Sequence, residues 1–575
     1  MQPVVALVYD DDAYVEAGGV AQGLMGRQVA GRSFLEALLR DGSFSELVAL
    51  VRSRASAASL LKLWRDHSAV SSPSRTLRLI ERDQLYGSLF PEPAATVIHA
   101  PQPPDPAFAW ARQQAGPHAF ALSGVTHTLC SPEALALLQS LVTAPFEPYD
   151  TLVCTSRAVA DMIREVTGNY ADYLNDRFNV KSDRGRSCPN RVRLETIPLG
   201  VDVDRFRPPL AAERASARKH LGVEDDEVAI LYVGRLSHHA KAHPFPIFRG
   251  ASEAALATGR RIHLILAGWA AHPAVEQAFK DGARVFAAEV KTSIVDGRAP
   301  QNRRSVWEAA DVFVSPSDNI QETFGLAVLE AMASGLPVVA SDWDGYRDLV
   351  EHGKTGFLVP TAMVAASTAT ATARLLIGEL DYDHFLAECS QATTVDVSAM
   401  AAALSKLLDD PELRRRMGAA GRDRAIKLFT WRSVISAFEE LWLNQESERS
   451  AQARASAAPS RWLGRDGPAA YPSPELTFAG YPTRCLDGTD RLFPVPGNAE
   501  RLAILLAMPL THHAPGRRVV NTELLRRALA LAPCSIDDLD RYWSQHGVEH
   551  GVGRSSVAWM LKYDLLRAVF ENSRP

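Results

Sequence analysis

Short apolar runs alternate with stretches of helical spacing through most of the chain. Residues 4–8 (Val-Val-Ala-Leu-Val), 47–51 (Leu-Val-Ala-Leu-Val) and 95–99 (Ala-Thr-Val-Ile-His) are nearly continuous apolar runs closed by polar or turn-forming residues. Such runs predict parallel strands covered on both faces. Between the first two, Val29, Phe34, Leu35, Leu38 and Leu39 fall on or near one helical face, and residues 53–64 keep helical spacing. The pattern repeats further on. Strands are predicted at 150–156, 228–233, 262–268, 312–314 and 338–340, and helices at 157–166 (under a Ser156 cap), 211–221, 303–310 and 324–333. Alternating strands and helices in this order predict parallel sheets with helices on both faces.

The densest passage runs from Asp311 to Ser341. It reads as strand, loop, helix, turn and strand, with Ser315-Pro-Ser-Asp-Asn ending the first strand and Ser334-Gly335 ending the helix. A strand-helix-strand unit opens its ligand crevice at the carboxyl end of the first strand. Glu322, Phe324 and Gly325 stand there, before a helix N-terminus whose free N–H groups attract phosphate. Glu330 lies inside the helix, on the order of 10 Å from Glu322 at 1.5 Å rise per residue. A carboxylate repels phosphate, so each glutamate suits hydroxyls that flank one. A hydroxyl-bearing ring on each side of a diphosphate describes a nucleotide sugar. Spacing alone fits an ordinary helix with one exposed glutamate and one in its first turn equally well.

Other residues add candidate chemistry. The strand at 228–233 delivers Gly234-Arg235, and Lys241 follows six residues later, so two cations stand at one strand mouth and can reach the same diphosphate. The first strand leads into a glycine-rich loop holding Gly18, Gly19, Gly23 and Gly26, with Arg27 as a further candidate anion contact. His99 and His127 each follow an apolar run, and a lone histidine there is more often structural than functional.

Glu322, seven residues, then Glu330, set within Ser-Asp-Asn-Ile-Gln-Glu-Thr-Phe-Gly-Leu-Ala-Val-Leu-Glu-Ala-Met-Ala-Ser-Gly-Leu-Pro, resembles the signature of retaining GT-B glycosyltransferases, in particular family 4, the glycogen synthase and sucrose synthase group. The resemblance implies two Rossmann-like parallel-sheet domains facing a cleft, which is an α/β fold. It implies that Gly18, Gly19, Arg235, Lys241, Glu322, Thr323, Phe324, Gly325, Leu326 and Glu330 bind the donor. The catalytic set it implies is His127, Arg235, Lys241 and Glu322, with His127 beside the transferred sugar. Thr196-Ile-Pro-Leu-Gly-Val-Asp-Val-Asp-Arg-Phe-Arg-Pro matches the family's interdomain connection. The expected domains are residues 1–206 for the acceptor and 207–445 for the donor, the last helix of the latter crossing back onto the first domain. Two departures stand out. His243-Pro-Phe-Pro replaces the glycine usual after the lysine, and Asp342-Trp-Asp-Gly-Tyr replaces the usual run of glycines ending in a glutamate.

The implied activity is retaining transfer of a sugar from a UDP-, GDP- or ADP-sugar to a hydroxyl acceptor such as a saccharide, with no cofactor and no metal. A nucleotide-sugar epimerase, a sugar phosphorylase and a non-catalytic nucleotide-sugar sensor remain alternatives.

Composition narrows this picture. The chain has 575 residues, 46% of them hydrophobic and 22% charged, with a net charge of −5, which gives no reason to expect nucleic-acid binding. No apolar run approaches the roughly 20 residues of a membrane span, and residues 1–12 read as a strand running into acids instead of a signal peptide. The six scattered cysteines show neither metal nor disulfide spacing. The expected location is cytoplasmic, with peripheral contact at the inner face of the membrane open through the basic stretch 169–193. Residues 446–474, rich in Ala, Ser, Arg and Pro, read as a linker. Residues 475–575 read as a helical, winged-helix-like module for a protein partner or a second copy, with helices at 522–531, 535–545 and 554–566.

Overall fold

The computed structural model describes residues 3–14, 26–68, 75–81, 84, 93–179, 192–455, 470–508, 520–548 and 550–569. Contacts divide the chain into two units, residues 1–463 and 464–575. The first unit holds two parallel sheets. One is built from β1 (Val5–Tyr9), β2 (Glu46–Val51), β3 (Thr76–Glu81), β4 (Val97–Ala100), β5 (Ala121–Val125), β6 (Thr151–Cys154) and β7 (Arg193–Thr196), in the order β3-β2-β1-β4-β5-β6-β7. The other contains β8 (Glu227–Val233), β9 (Arg261–Gly268), β10 (Lys291–Asp296), β11 (Val312–Ser315), β12 (Val338–Ser341) and β13 (Gly356–Val359), in the order β10-β9-β8-β11-β12-β13. The expected pair of Rossmann-like sheets is present.

Period-2 alternation explains why these strands read as unbroken apolar runs. On β1, Val5, Leu7 and Tyr9 join one core with Phe34, Leu35 and Leu38, while Ala6 joins the core on the other face with Leu138, Leu141 and Ile163. On β8, Ile230 and Tyr232 pack with Phe248 and Leu404, whereas Ala229 and Leu231 pack with Val328 and Met332. Strand order reverses between β1 and β4 in the first sheet and between β8 and β11 in the second. A crevice opens at the carboxyl ends of the strands at each reversal.

The helix Trp431–Ala455 carries an apolar stripe of Trp431, Val434, Ile435, Phe438, Leu441 and Trp442, all buried in the core of the first sheet. Each such side chain stabilises by roughly 1.5–3 kcal/mol when fully buried, so this helix is firmly bound to that sheet. Its fixture is polar. The Gln445 amide donates to the carbonyls of Leu122 (2.9 Å) and Tyr149 (2.8 Å). Of the linker expected over 446–474, the first ten residues are helical, because the helix continues to Ala455. Its Ala, Glu, Gln and Arg residues are good helix formers as well as common linker residues. The helix expected over 157–166 also runs further, into the basic stretch 169–193. The helix Arg157–Arg177 runs through the first part of that stretch, since Thr167 and Ala171 extend the buried stripe of Val159 and Ile163. Lys181, Arg184, Arg186 and Arg191 lie outside the described residues.

After β13 the chain leaves the second sheet. β14 (Thr361–Met363) and β15 (Thr393–Val395) pair antiparallel and enclose the helices Ala371–Leu376 and Tyr382–Gln391. The sequence reading did not identify this arm.

The second unit has a three-stranded antiparallel sheet, with β16 (Arg491–Pro494) between β17 (Cys534–Ser535) and β18 (Leu566–Ala568). Helices Asn498–Ala507, Thr522–Leu531, Ile536–Gln545 and His550–Lys562 surround Leu492, Leu525, Leu539, Trp543 and Met560. The helix expected over 554–566 ends at Lys562, and Leu566 belongs to a strand. No helix among the described residues is long and apolar enough to cross a membrane.

Candidate active site

The loops after β8 and β11, the strands flanking the reversal in the second sheet, converge. Lys241 Nζ lies 3.7 Å from Glu322 Oε2. Glu322 Oε1 accepts long hydrogen bonds from the backbone N–H groups of Thr323 (3.3 Å) and Phe324 (3.4 Å). Ser317 Oγ donates to the Lys241 carbonyl at 3.2 Å, and the Asn319 amide donates to the His239 carbonyl, which locks the two loops together. Arg235 shares the Lys241 loop. Gly325 caps the helix Leu326–Ala333 at φ +104°, and no side chain closes the helix N-terminus there. A Cβ at Gly325 would stand 2.3 Å from the Tyr346 ring, so both the backbone angle and the neighbour demand glycine. The free N–H groups of that helix start thus sit behind Glu322 and Lys241.

Carboxyl groups around this crevice are held towards their neutral forms. Burial raises Glu330 to about 7, opposed by Arg205, and its carboxylate accepts no hydrogen bond from a described residue. Burial likewise raises Asp318 to about 7, opposed by hydrogen bonds from the His243 N–H and the Ser390 hydroxyl. Asp344 is raised to about 7 by burial and by the charge of Glu322, opposed by the Ser156 hydroxyl and the Gly345 N–H. Unusual carboxyl pKa values in a cleft mark places where ligand groups replace water.

The opposite wall comes from the first sheet. His127 follows β5, its ring donates to the Pro101 carbonyl, and burial together with the charge of Arg27 lowers it to about 4. It is therefore neutral at physiological pH. A pocket lined by Tyr14, Phe34, His99, His127, Trp431 and Phe438 lies at the strand ends. His99 is buried with Nδ1 2.9 Å from Ser123 Oγ, so it belongs to the core. Gly18 and Gly19 lie outside the described residues.

The two walls meet through contacts that the sequence reading missed. Thr155 Oγ1 donates to the Thr323 carbonyl (3.4 Å), and Ser156 Oγ donates to Asp344 Oδ1 (3.1 Å). Arg157 donates its backbone N–H (2.7 Å) and its guanidinium Nε (2.5 Å) to Asp348. On the far side Tyr382 reaches both Cys130 and Gln321. Ser156 was legible as a helix cap. Tyr382 and Asp348 carry no local motif, and only the tertiary fold brings them to the cleft. Trp343, in the departing Asp342-Trp-Asp-Gly-Tyr segment, donates its indole N–H to the Asn319 carbonyl at 3.1 Å and so braces the Glu322 loop. Glu322, Thr323, Phe324, Gly325 and Leu326 thus stand together beside Lys241, while Glu330 is set deeper. Among the described residues no group of three or more His, Cys, Asp or Glu side chains is placed to hold a metal ion.

Comparison with known proteins matches residues 227–377 to the family described as Glycosyl transferases group 1. The chain is 30% identical over 240 residues to a D-inositol 3-phosphate glycosyltransferase of Nocardia farcinica, covering 40% of this chain and 49% of that protein. It is 25% identical over 359 residues to an alpha-maltose-1-phosphate synthase of Mycolicibacterium smegmatis, covering 61% and 79%. A solved glycosyltransferase of Rickettsia africae superposes with a TM-score of 0.48 at 14% identity, covering 77% of this chain and 98% of that one. The chain spans about half the length of several of the curated relatives it matches.

Proposed function

We propose that the chain is a retaining glycosyltransferase that moves a sugar from a nucleotide-sugar donor to a hydroxyl acceptor, a saccharide or a saccharide-bearing molecule. The observation that carries this reading is the Lys241–Glu322 pair in front of an uncapped helix N-terminus, with Arg235 on the same loop. The pair is partly exposed, and such pairs are worth only about 0–1 kcal/mol, so an arriving diphosphate can take Lys241 readily. Glu322 is then released to accept hydrogen bonds from the hydroxyls of the donor sugar. Arg235, Lys241 and the N–H groups at Phe324, Gly325 and Leu326 stabilise the leaving diphosphate as its charge grows. Glu330 accepts from the ribose, which supplies the partner its carboxylate lacks. His127, neutral and on the opposite wall, orients the sugar or the acceptor hydroxyl. The family resemblance assigns Gly18 and Gly19 to donor binding as well.

No side chain is needed as a covalent nucleophile. The acceptor attacks from the face that the diphosphate leaves, and the departing phosphate oxygen takes the acceptor proton. With two cations and a helix terminus on the diphosphate, the reaction runs without a metal. Residues 1–206 serve the acceptor, 207–445 the donor, and 475–575 a protein partner or second copy. We place the enzyme in the cytoplasm, where nucleotide sugars serve as donors.

A panel of UDP-, GDP- and ADP-sugars tests the reading, first by thermal shift and then by product analysis with a labelled donor in the presence of chelator. Stabilisation by one donor class and an anomerically retained product support it. Donor binding without transfer to any acceptor, or an epimerised or phosphorolysed product, overturns it.

A further inference from the structure

The arm between β14 and β15 packs against three loops at once. Leu386 of the helix Tyr382–Gln391 clusters with Ala240, from the loop of Lys241, and with Cys130. Ser390 Oγ lies 3.4 Å from the His238 carbonyl on that same loop. Ile320, two residues before Glu322, packs into the arm's own small core of Ala371, Leu380, Phe385 and Cys389. Each of the three loops carries residues that the proposed function assigns to the site.

One hydroxyl group joins two of these loops directly. The Gln321 amide donates to Tyr382 Oη at 3.2 Å, and Tyr382 Oη lies 3.0 Å from Cys130 Sγ. Since the phenol accepts from Gln321, its own proton is available to the sulfur. Gln321 immediately precedes Glu322, and Cys130 is the third residue after His127. Gln321 belongs to the second sheet's loops and Cys130 to the first's, so this link forms only when the walls are together. Burial raises the Tyr382 hydroxyl above its ordinary value, which keeps it protonated as a donor at any working pH.

We propose that Tyr382 is a positioning residue, its phenol tying the His127 loop to the Glu322 loop and so setting the closed geometry in which the sugar is transferred. The proposal rests on the glycosyltransferase reading for its consequence, but not for the tether itself. Arg235, Lys241 and Glu330 are held without Tyr382, so donor binding survives its loss while turnover falls.

Tyr382→Phe keeps the ring and removes only the bridging oxygen, and Cys130→Ala removes the link to the first domain alone. Hydrogen exchange of the backbone amides is followed over residues 319–323 and 128–130. The expected result for Tyr382→Phe is exchange at least about 5-fold faster in both segments with an unchanged melting temperature. Where transfer is measured, kcat should fall about 5- to 20-fold with donor KM within about 2-fold, and the Cys130→Ala/Tyr382→Phe double variant should be no worse than the worse single variant. Unchanged exchange in either segment overturns the tether, as does faster exchange spread over the whole domain with a lowered melting temperature. A wild-type protein that transfers nothing removes the glycosyltransferase reading and leaves the exchange result to judge the tether by itself.

Discussion

The two walls of the cleft share one architecture and hold their chemistry differently. In the second sheet the reversal between β8 and β11 delivers its residues on two compact loops, Gly234 to Lys241 and Ser315 to Gly325. Those loops are joined by the Asn319–His239 and Ser317–Lys241 hydrogen bonds. In the first sheet the corresponding strand ends deliver His127, held neutral, to a pocket of mostly aromatic and apolar side chains. The wall proposed to bind a diphosphate needs fixed charges and N–H groups for that role, and contiguous residues at a strand end and a helix start supply them most readily. The wall proposed to receive an acceptor needs shape for that role, which many separated residues supply. The difference teaches that the donor side should respond to single charges and the other side to packing.

The largest test of that contrast is loss of charge on the donor wall. Lys241→Ala and Glu322→Ala should each lower kcat/KM by about 10²- to 10³-fold, as expected for groups that meet developing charge. Their melting temperatures should change little, because a half-exposed pair contributes no more than about 1 kcal/mol. Near-normal transfer by either variant would remove the assignment of the site.

The first wall should instead fail through its packing. Gln445→Ala leaves the Leu122 and Tyr149 carbonyls buried without their donor, and should destabilise by about 1–3 kcal/mol in denaturant unfolding. Its effect on donor binding should be slight. A variant with intact stability and weakened donor affinity would mean that the crossing helix serves the donor wall after all.

This contrast also explains what could be read before the structure. The crevice proposed for the donor was readable as a candidate because Glu322, Gly325, Glu330, Arg235 and Lys241 lie in short, ordered strings next to strand ends that hydropathy alone locates. Both sheets were legible for the same reason, since strands buried on two faces are unbroken apolar runs. The arm at 361–395 was not, because its contacts pair Tyr382 with Cys130 across 252 positions of sequence, and nothing local marks them. The helix over 446–455 reads in sequence as linker because Ala, Arg, Ser and Glu suit a solvated helix and a linker alike, and tertiary partners such as Arg193 for Glu448 and the His118 carbonyl for Arg449 distinguish them. The cross-domain role of Asp344 and Asp348 was hidden similarly: the departure at Asp342-Trp-Asp-Gly-Tyr was visible, but its partners Ser156 and Arg157 were read only as a helix start.

A smaller effect is expected at His127. If it positions without exchanging protons, His127→Ala should lower kcat about 10-fold. Because its pKa is lowered to about 4, it stays neutral throughout pH 5–8. The substitution should therefore scale the pH profile in that range without removing a limb. Disappearance of a limb would show that the histidine titrates during turnover, and that the first wall supplies chemistry as well as shape.

The smallest effect concerns Glu330, and it separates the needs of the free protein from those of the complex. Its folded pKa of about 7 lies above its ordinary 4.5. Between those values the folded protein keeps a proton that the unfolded chain has released, so this group's contribution to stability falls as pH rises through 7. Glu330→Gln removes the buried charge while keeping the shape. Without ligand it should be more stable than the wild type by on the order of 1 kcal/mol at pH 8, with the gain shrinking towards pH 5. With a nucleotide bound the ranking should reverse at pH 8, since the carboxylate then has a ribose hydroxyl to accept from and the amide accepts more weakly. Denaturation midpoints at the two pH values, with and without nucleoside diphosphate, measure both signs. A gain that persists unchanged with nucleotide would mean that Glu330 is a buried carboxyl of the helix and no part of the donor wall.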